Sequence, residues 1–176
     1  PRGRGRKLAA PPAKETADRL GIRVEQPERP TLPADAPVDT VVVCAYGLLI
    51  PPSLLAQGLW LNVHPSLLPR HKGLHTHRAA LAAHDREHGA TVHFVTPDLD
   101  GGPAVLQGIV PVLPDDDEHA LAARVQRCEH TLYPTVVEWF ARGRLRCDDA
   151  GRPILDGELL TVPRVIRFDA EGIRRD

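Results

Sequence analysis

Leu59-Trp60-Leu61-Asn62-Val63-His64-Pro65-Ser66-Leu67-Leu68-Pro69 reads as a strand that stops at a proline and gives way to a loop. Its second half alternates apolar and polar, so Asn62 and His64 project from one face, roughly 6 to 7 Å apart. Pro65 ends the ladder because it has no N–H to give. Two polar side chains converging at a strand end beside a loop form a site more readily than a core. Taken alone, the pair has a blander reading, as a turn former and a satisfied surface imidazole.

Upstream, Thr40-Val41-Val42-Val43-Cys44-Ala45-Tyr46 is a continuous apolar run, the pattern of a strand covered on both faces in a parallel sheet. Downstream, Thr91-Val92-His93-Phe94-Val95-Thr96 is a further strand, running into Pro97-Asp98-Leu99-Asp100-Gly101-Gly102-Pro103. Glycines beside Asp100 supply left-handed torsions and let backbone approach a ligand. A carboxylate on such a loop becomes a general acid–base group once the fold carries it to an imidazole.

A helix is expected over residues 12–20, with proline in its first turn and Gly21 as its stop. A short strand at Ile22-Arg23-Val24 and a proline-rich loop to residue 37 follow. Residues 51–57 and 76–84 read as helices, the sequence after Gly89 as strand, and residues 104–112 as a strand interrupted by Gly108. The acidic cluster Asp115-Asp116-Asp117-Glu118 suits the positive end of a long helix. In that helix Leu121, Val125, Cys128, Leu132, Val136 and Trp139 form one apolar stripe, with Gln126 and Glu129 off it and available to solvent or substrate. Residues 144–147 and 153–160 suggest a terminal hairpin. Strands alternating with helices define an α/β fold with a doubly wound, mostly parallel sheet of Rossmann-like type. Its ligands belong beyond the strand carboxyl ends, where Asn62, His64 and Asp100 are expected.

With 176 residues and 42% hydrophobic content, the chain can bury the core of one domain. A net charge of −1 gives no global cationic field for nucleic acid; Arg2, Arg4, Arg6 and Lys7 are the one local basic patch. Cys44, Cys128 and Cys147 lie too far apart in sequence for a CxxC pair, which points to a reduced compartment without disulfides or zinc. His75 and His77 lack an acidic or thiol partner at ligand spacing, and residues 115–118 lack the alternation of a calcium loop, so no metal is expected. The absence of a long apolar run or a signal peptide suggests a cytoplasmic protein.

Together, Asn62 to Pro69, Gly73-Leu74-His75-Thr76-His77-Arg78, His88-Gly89-Ala90-Thr91-Val92-His93, Leu99-Asp100-Gly101-Gly102-Pro103 and Arg124-Val125-Gln126-Arg127-Cys128-Glu129-His130 closely resemble the glycinamide ribonucleotide transformylases of purine biosynthesis. That resemblance runs over residues 59–157 or so. Gly3-Arg4-Gly5-Arg6-Lys7-Leu8, Gly21-Ile22-Arg23-Val24-Glu25-Gln26-Pro27 and Ala45-Tyr46-Gly47-Leu48-Leu49-Ile50-Pro51 look more like methionyl-tRNA formyltransferase, so the chain reads as a mosaic. By the same resemblance, the opening strand and turn of both relatives, which in the purine enzyme holds the substrate phosphate, and the C-terminal tRNA-binding barrel of the tRNA enzyme are expected to have no counterpart in these residues. On this reading residues 1–160 form the catalytic domain. Within it residues 1–37 are a partial nucleotide-side half and 38–160 the folate-binding and catalytic half, with a tail at 161–176.

The resemblance implies formyl transfer from 10-formyltetrahydrofolate to the amine of glycinamide ribonucleotide. It implies that Asn62 and His64 donate to the developing oxyanion while Asp100 orients or charges His64 and relays a proton through water. One such donor is worth about 2.7 to 4 kcal/mol of barrier. By the same resemblance Tyr46, Gly47, Leu48, Leu49, Ile50, Thr96, Asp98 and Asp100 hold the folate, and Glu129 with Gln126 meets the substrate ribose. The alternatives are methionyl-tRNA as acceptor, contacted through Arg2, Arg4, Arg6 and Lys7, an amino sugar as acceptor, or a folate-binding fragment without catalysis.

Overall fold

The computed structural model describes residues 10–33 and 38–175, and the chain divides into two units, residues 1–32 and 33–176. In the first, α1 (Pro12–Arg19) starts on a proline, where the missing N–H is no loss, and is braced by a Lys14–Asp18 ion pair at 2.9 Å. Its end explains why no strand forms at Ile22-Arg23-Val24. Gly21 turns left-handed (φ +68), its N–H reaches Asp18 O at 3.2 Å, and Ile22 N–H reaches back to Ala17 O at 2.9 Å. Ile22 is thus spent closing the helix, in the two-bond arrangement typical of glycine-terminated helices. The basic residues Arg2, Arg4, Arg6 and Lys7 lie outside the described residues.

In the second unit β1 (Thr40–Val43), α2 (Pro52–Leu55), β2 (Leu59–His64), α3 (Thr76–Ala82), β3 (Glu87–Phe94), β4 (Ala104–Pro111) and α4 (Glu118–Ala141) follow in order. Then come β5 (Leu145–Cys147), β6 (Pro153–Leu155), β7 (Glu158–Leu159) and β8 (Arg164–Arg167). One sheet has the order β1-β2-β3-β4-β8, with β1–β2 and β4–β8 parallel and the β2–β3–β4 meander antiparallel. Strands β5, β6 and β7 make a small antiparallel sheet, so the expected hairpin gains a third strand. The segment after residue 160 returns to the main sheet as β8, alongside Leu106 to Ile109.

Two expectations about strands need correction. β1 is shorter than the apolar run, because Ala45 turns left-handed (φ +50) and the chain leaves the ladder after Val43. Nor is β1 covered on both faces among the described residues, since it is an end strand and Val42 is exposed. Gly108 does not interrupt β4, which runs through it unbroken. A Cβ there would come within 2.2 Å of Cys128 Sγ, so the glycine exists to let α4 lie against the sheet.

The helix stripe is the core. Leu121, Val125, Cys128, Leu132 and Val136 are wholly buried against Ala90, Val92, Leu106 and Val110, with Trp139 partly buried at the edge. Each such leucine or valine contributes about 1.5–3 kcal/mol by leaving water. Asp117 caps α4, accepting from Ala120 N–H at 2.7 Å. Its neighbour Asp116 is no mere decoration: both oxygens take the buried Arg124 guanidinium, at 2.6 and 2.9 Å. Arg124 also donates to Pro111 O and Ala170 O, tying the end of β4 and the segment after β8 to the helix. Tyr133 brings its buried hydroxyl within 2.8 Å of Val43 O and 2.7 Å of Leu61 O, its one proton shared between the carbonyls where β1 and β2 end their pairing.

Candidate active site

β2 delivers Asn62 and His64 as its alternation requires, and the neighbouring strand supplies what the sequence reading left out of the site. Across the β2–β3 pair Asn62 stands opposite His93, and the Asn62 amide donates to His93 Nε2 at 3.2 Å. His93 Nδ1–H donates to Phe94 O at 2.9 Å, which leaves Nε2 as the acceptor. Burial pushes the His93 imidazole below its ordinary value, favouring that neutral form, with the nearby Asp100 charge opposing. One amide proton of Asn62 is therefore held, and the side chain is oriented. The signal for His93 was present in the sequence, since it is the polar residue in the same alternation on the paired strand.

Asp100 arrives by a different route from the one expected. β3 runs opposite to β2, so its carboxyl end lies beside Leu61 rather than beyond His64. The loop after Phe94 folds back before β4 begins, and Phe94 N–H bonds Pro103 O at 3.0 Å across its base. Close approach is the task of Gly102, where a Cβ would fall 1.8 Å from Phe94 O. The left-handed torsion is taken by Asp100 itself (φ +45), a conformation aspartate tolerates. Asp100 Oδ2 then accepts from Gly73 N–H at 2.8 Å and stands 3.4 Å from His64 Nδ1, while Oδ1 is 3.8 Å from His93 Nε2.

Asn62, His93 and Asp100 line a cleft together with Tyr46, Leu48, Leu49 and Ile50. Leu48 and Leu49 are 73% and 72% exposed, an arrangement that plain core packing does not explain. Thr96, Asp98 and Leu99 close the side, whereas Gly47 is not part of the lining. His64 is not in the lining either. Its Nε2 donates to His71 O at 2.9 Å and its Nδ1 faces Asp100, so it stands behind the carboxylate. Both ring nitrogens of His64 thus face protein groups in this arrangement. His77 also finds a protein partner, with Nδ1 3.2 Å from His88 Nε2.

Glu129 and Gln126 do not line the cleft. Gln126 is exposed on α4. Glu129 is half-buried, burial raises its carboxyl to about 7, and its charge is felt by the Cys44 thiol just past the end of β1.

An oriented amide donor beside a carboxylate–imidazole pair, in a cleft with apolar lining, has the groups that group transfer at a carbonyl carbon requires. Sequence comparison gives that class its family. The chain belongs to the formyl transferase family, which it matches over residues 1–137. It is 49% identical over 124 residues to phosphoribosylglycinamide formyltransferase of Escherichia coli K12, covering 69% of this chain and 58% of that protein. It is 36% identical over 155 residues to methionyl-tRNA formyltransferase of Trichlorobacter lovleyi, covering 82% and 48%. Likeness to both kinds of enzyme agrees with the mosaic reading. Among solved structures, phosphoribosylglycinamide formyltransferase from Coxiella burnetii superposes with a TM-score of 0.67 at 37% identity, over 72% of this chain and 61% of that one. The chain thus spans between about half and three fifths of the length of these relatives.

Proposed function

We propose that this chain carries the catalytic centre of an enzyme that transfers the formyl group of 10-formyltetrahydrofolate to the amine of glycinamide ribonucleotide. The observation that carries the reading is the position of Asp100, which lines the cleft with Asn62 and has His64 Nδ1 3.4 Å from its carboxylate. The wall of Tyr46, Leu48, Leu49 and Ile50 suits a flat heteroaromatic ring, and the loop from Thr96 to Asp100 offers polar edges to it, so these residues fit the folate. When bound, the formyl donor supplies a carbon whose bond to N10 breaks as the bond to the amine forms, with a proton passing from amine to N10 and nothing oxidised or reduced.

Asn62 meets the charge that grows on the formyl oxygen, through the amide proton His93 does not hold. Asp100 takes up or returns the travelling proton at its cleft-facing carboxylate, directly or through a water. His64 Nδ1 accepts from Asp100 when that carboxyl is protonated and, once it has taken the proton, donates to the carboxylate. Glu129, whose charge is felt by Cys44 just past the end of β1, would meet the acceptor's hydroxyls. The choice of acceptor is supported by the greater identity to the purine enzyme of Escherichia coli than to the tRNA enzyme.

Mixing the 176-residue protein with 10-formyltetrahydrofolate and each acceptor, and following release of tetrahydrofolate, tests the proposal. Release with glycinamide ribonucleotide supports it. Release with methionyl-tRNA alone overturns the acceptor, and folate binding without release under any condition overturns catalysis.

A further inference from the structure

The loop after β2 carries a set of contacts outside the cleft, and they converge on His64. His71 has a left-handed backbone (φ +49), which few residues other than glycine adopt. This conformation aims its carbonyl at His64 Nε2, 2.9 Å away. A carbonyl only accepts, so Nε2 carries a proton and Nδ1 is the position left to exchange one with Asp100. The His71 side chain is itself pinned, its Nε2 lying 2.7 Å from Asp85 Oδ2, while Asp85 Oδ1 takes the Arg70 guanidinium. Asp85 is covered, its side chain 6% exposed, and its backbone N–H is fixed to Ala80 O at 3.1 Å at the end of α3. On the near side of His71 the loop is held again, by Ser66 Oγ on Arg70 O at 2.7 Å and by Gln107 Nε2 on Leu68 O at 2.8 Å.

We propose that Asp85 and His71 act as a positioning relay for His64. Asp85 pins the His71 ring, the pinned ring holds the left-handed backbone, and the carbonyl so aimed keeps the His64 proton on Nε2, leaving Nδ1 to accept a proton from Asp100 and return it. Neither residue lines the cleft, so neither is catalytic. The charged and titratable groups facing the relay include Arg70 on the same loop, His88 from β3, whose ring centroid is 6.1 Å from that of His71, and His77 from α3, which feels the charge of His64. At the far end His64 faces Asp100, with His93 beyond it. The inference rests on the reading of His64 and Asp100 as the proton-moving pair of formyl transfer.

The experiment is nitrogen-15 NMR of the histidine rings in the full chain, paired with steady-state kinetics, for the native protein and Asp85→Ala. The native His64 should show a protonated Nε2. In Asp85→Ala that signature should give way to a mixture of ring forms, with kcat lower by about tenfold and the KM for 10-formyltetrahydrofolate within about twofold. A folded Asp85→Ala protein with native His64 resonances overturns the relay. If Asp85→Ala does not fold, His71→Ala is read in the same way. Should the native protein transfer no formyl group while the His64 spectrum still responds, the relay stands and the reaction assignment falls.

Discussion

Asn62 and His93 face each other in register across the β2–β3 pair, and the amide donates to Nε2 at 3.2 Å. Asn62 is in consequence a pre-oriented donor, which is what gives a hydrogen bond to a developing oxyanion its value. Asn62→Ala should lower kcat by about 10²–10³, corresponding to about 2.7–4 kcal/mol, and leave the Kd of a folate analogue within a few fold. His93→Ala removes the orienting acceptor but not the donor, so its loss should be smaller, about tenfold. Steady-state kinetics with fluorescence titration of the folate analogue checks both, and a His93→Ala loss equal to that of Asn62→Ala would deny the orienting role.

Gly108 lies where β4 passes beneath α4, and an added Cβ would meet Cys128 Sγ at 2.2 Å and Leu132 Cδ1 at 2.9 Å. Those atoms belong to fully buried side chains and have nowhere to move. Gly108→Ala should therefore destabilise the fold by about 1–3 kcal/mol, through overpacking rather than backbone strain. Urea unfolding measures it. Gly151→Ala makes the contrast, since it has open space and a left-handed backbone (φ +74), so its cost is torsional alone.

The alternating and periodic segments were legible because their periods are local. Asn62 and His64 on one face of β2 and the buried stripe of α4 follow from repeats of 2 and 3.6 residues. What was not legible depends on partners distant in sequence. The tyrosine lock on Val43 and Leu61 bridges 90 and 72 residues. The return of residues 164–167 to the sheet, and the antiparallel turn that makes the loop before Asp100 double back, are choices of topology no single segment records. Asp116 resembled a helix decoration because its partner, Arg124, sits eight residues away on the helix it precedes. The expected strand at residue 22 failed because Ile22 closes α1 instead.

Asp116 and Arg124 form a covered pair, with side chains 4% and 6% exposed. Hydrogen bonds from Arg124 hold the Asp116 carboxyl below the usual carboxylate range despite burial. Removing one partner leaves the other charge buried and alone, which typically costs about 3–5 kcal/mol. Asp116→Asn should fall in that range by urea unfolding, and because a depressed carboxyl contributes stability that is lost on acidification, the variant should also lose less stability than the native protein below pH 4 or so.

Glu129 has its carboxyl raised to about 7 by burial, so in the free protein it changes charge near neutrality. The charged form accepts two hydrogen bonds from vicinal hydroxyls and the protonated form accepts fewer. If Glu129 meets the acceptor ribose, the KM for glycinamide ribonucleotide should fall as pH rises from 6 to 8, and Glu129→Gln should flatten that dependence while raising KM throughout. The KM for 10-formyltetrahydrofolate should not follow it, and an unchanged pH profile in Glu129→Gln would remove Glu129 from the acceptor site.

His88 is the buried imidazole of β3, 1% exposed, and burial first, then the charges of His77 and His71, lower it from 6.5 to about 4. Asp85 pulls the other way, and Arg70 adds to the lowering. The folded protein keeps His88 neutral across that interval while the unfolded chain takes up a proton there, so acidification favours unfolding. The contribution is intact above pH 6.5 and is lost progressively down to about pH 4, amounting to on the order of 3 kcal/mol. Thermal unfolding at pH 7.5 and pH 5.0 should show a marked drop in Tm for the native protein. His88→Gln, which cannot charge, should be less stable at pH 7.5 yet lose less on going to pH 5.0, and equal losses in the two proteins would place the acid sensitivity elsewhere.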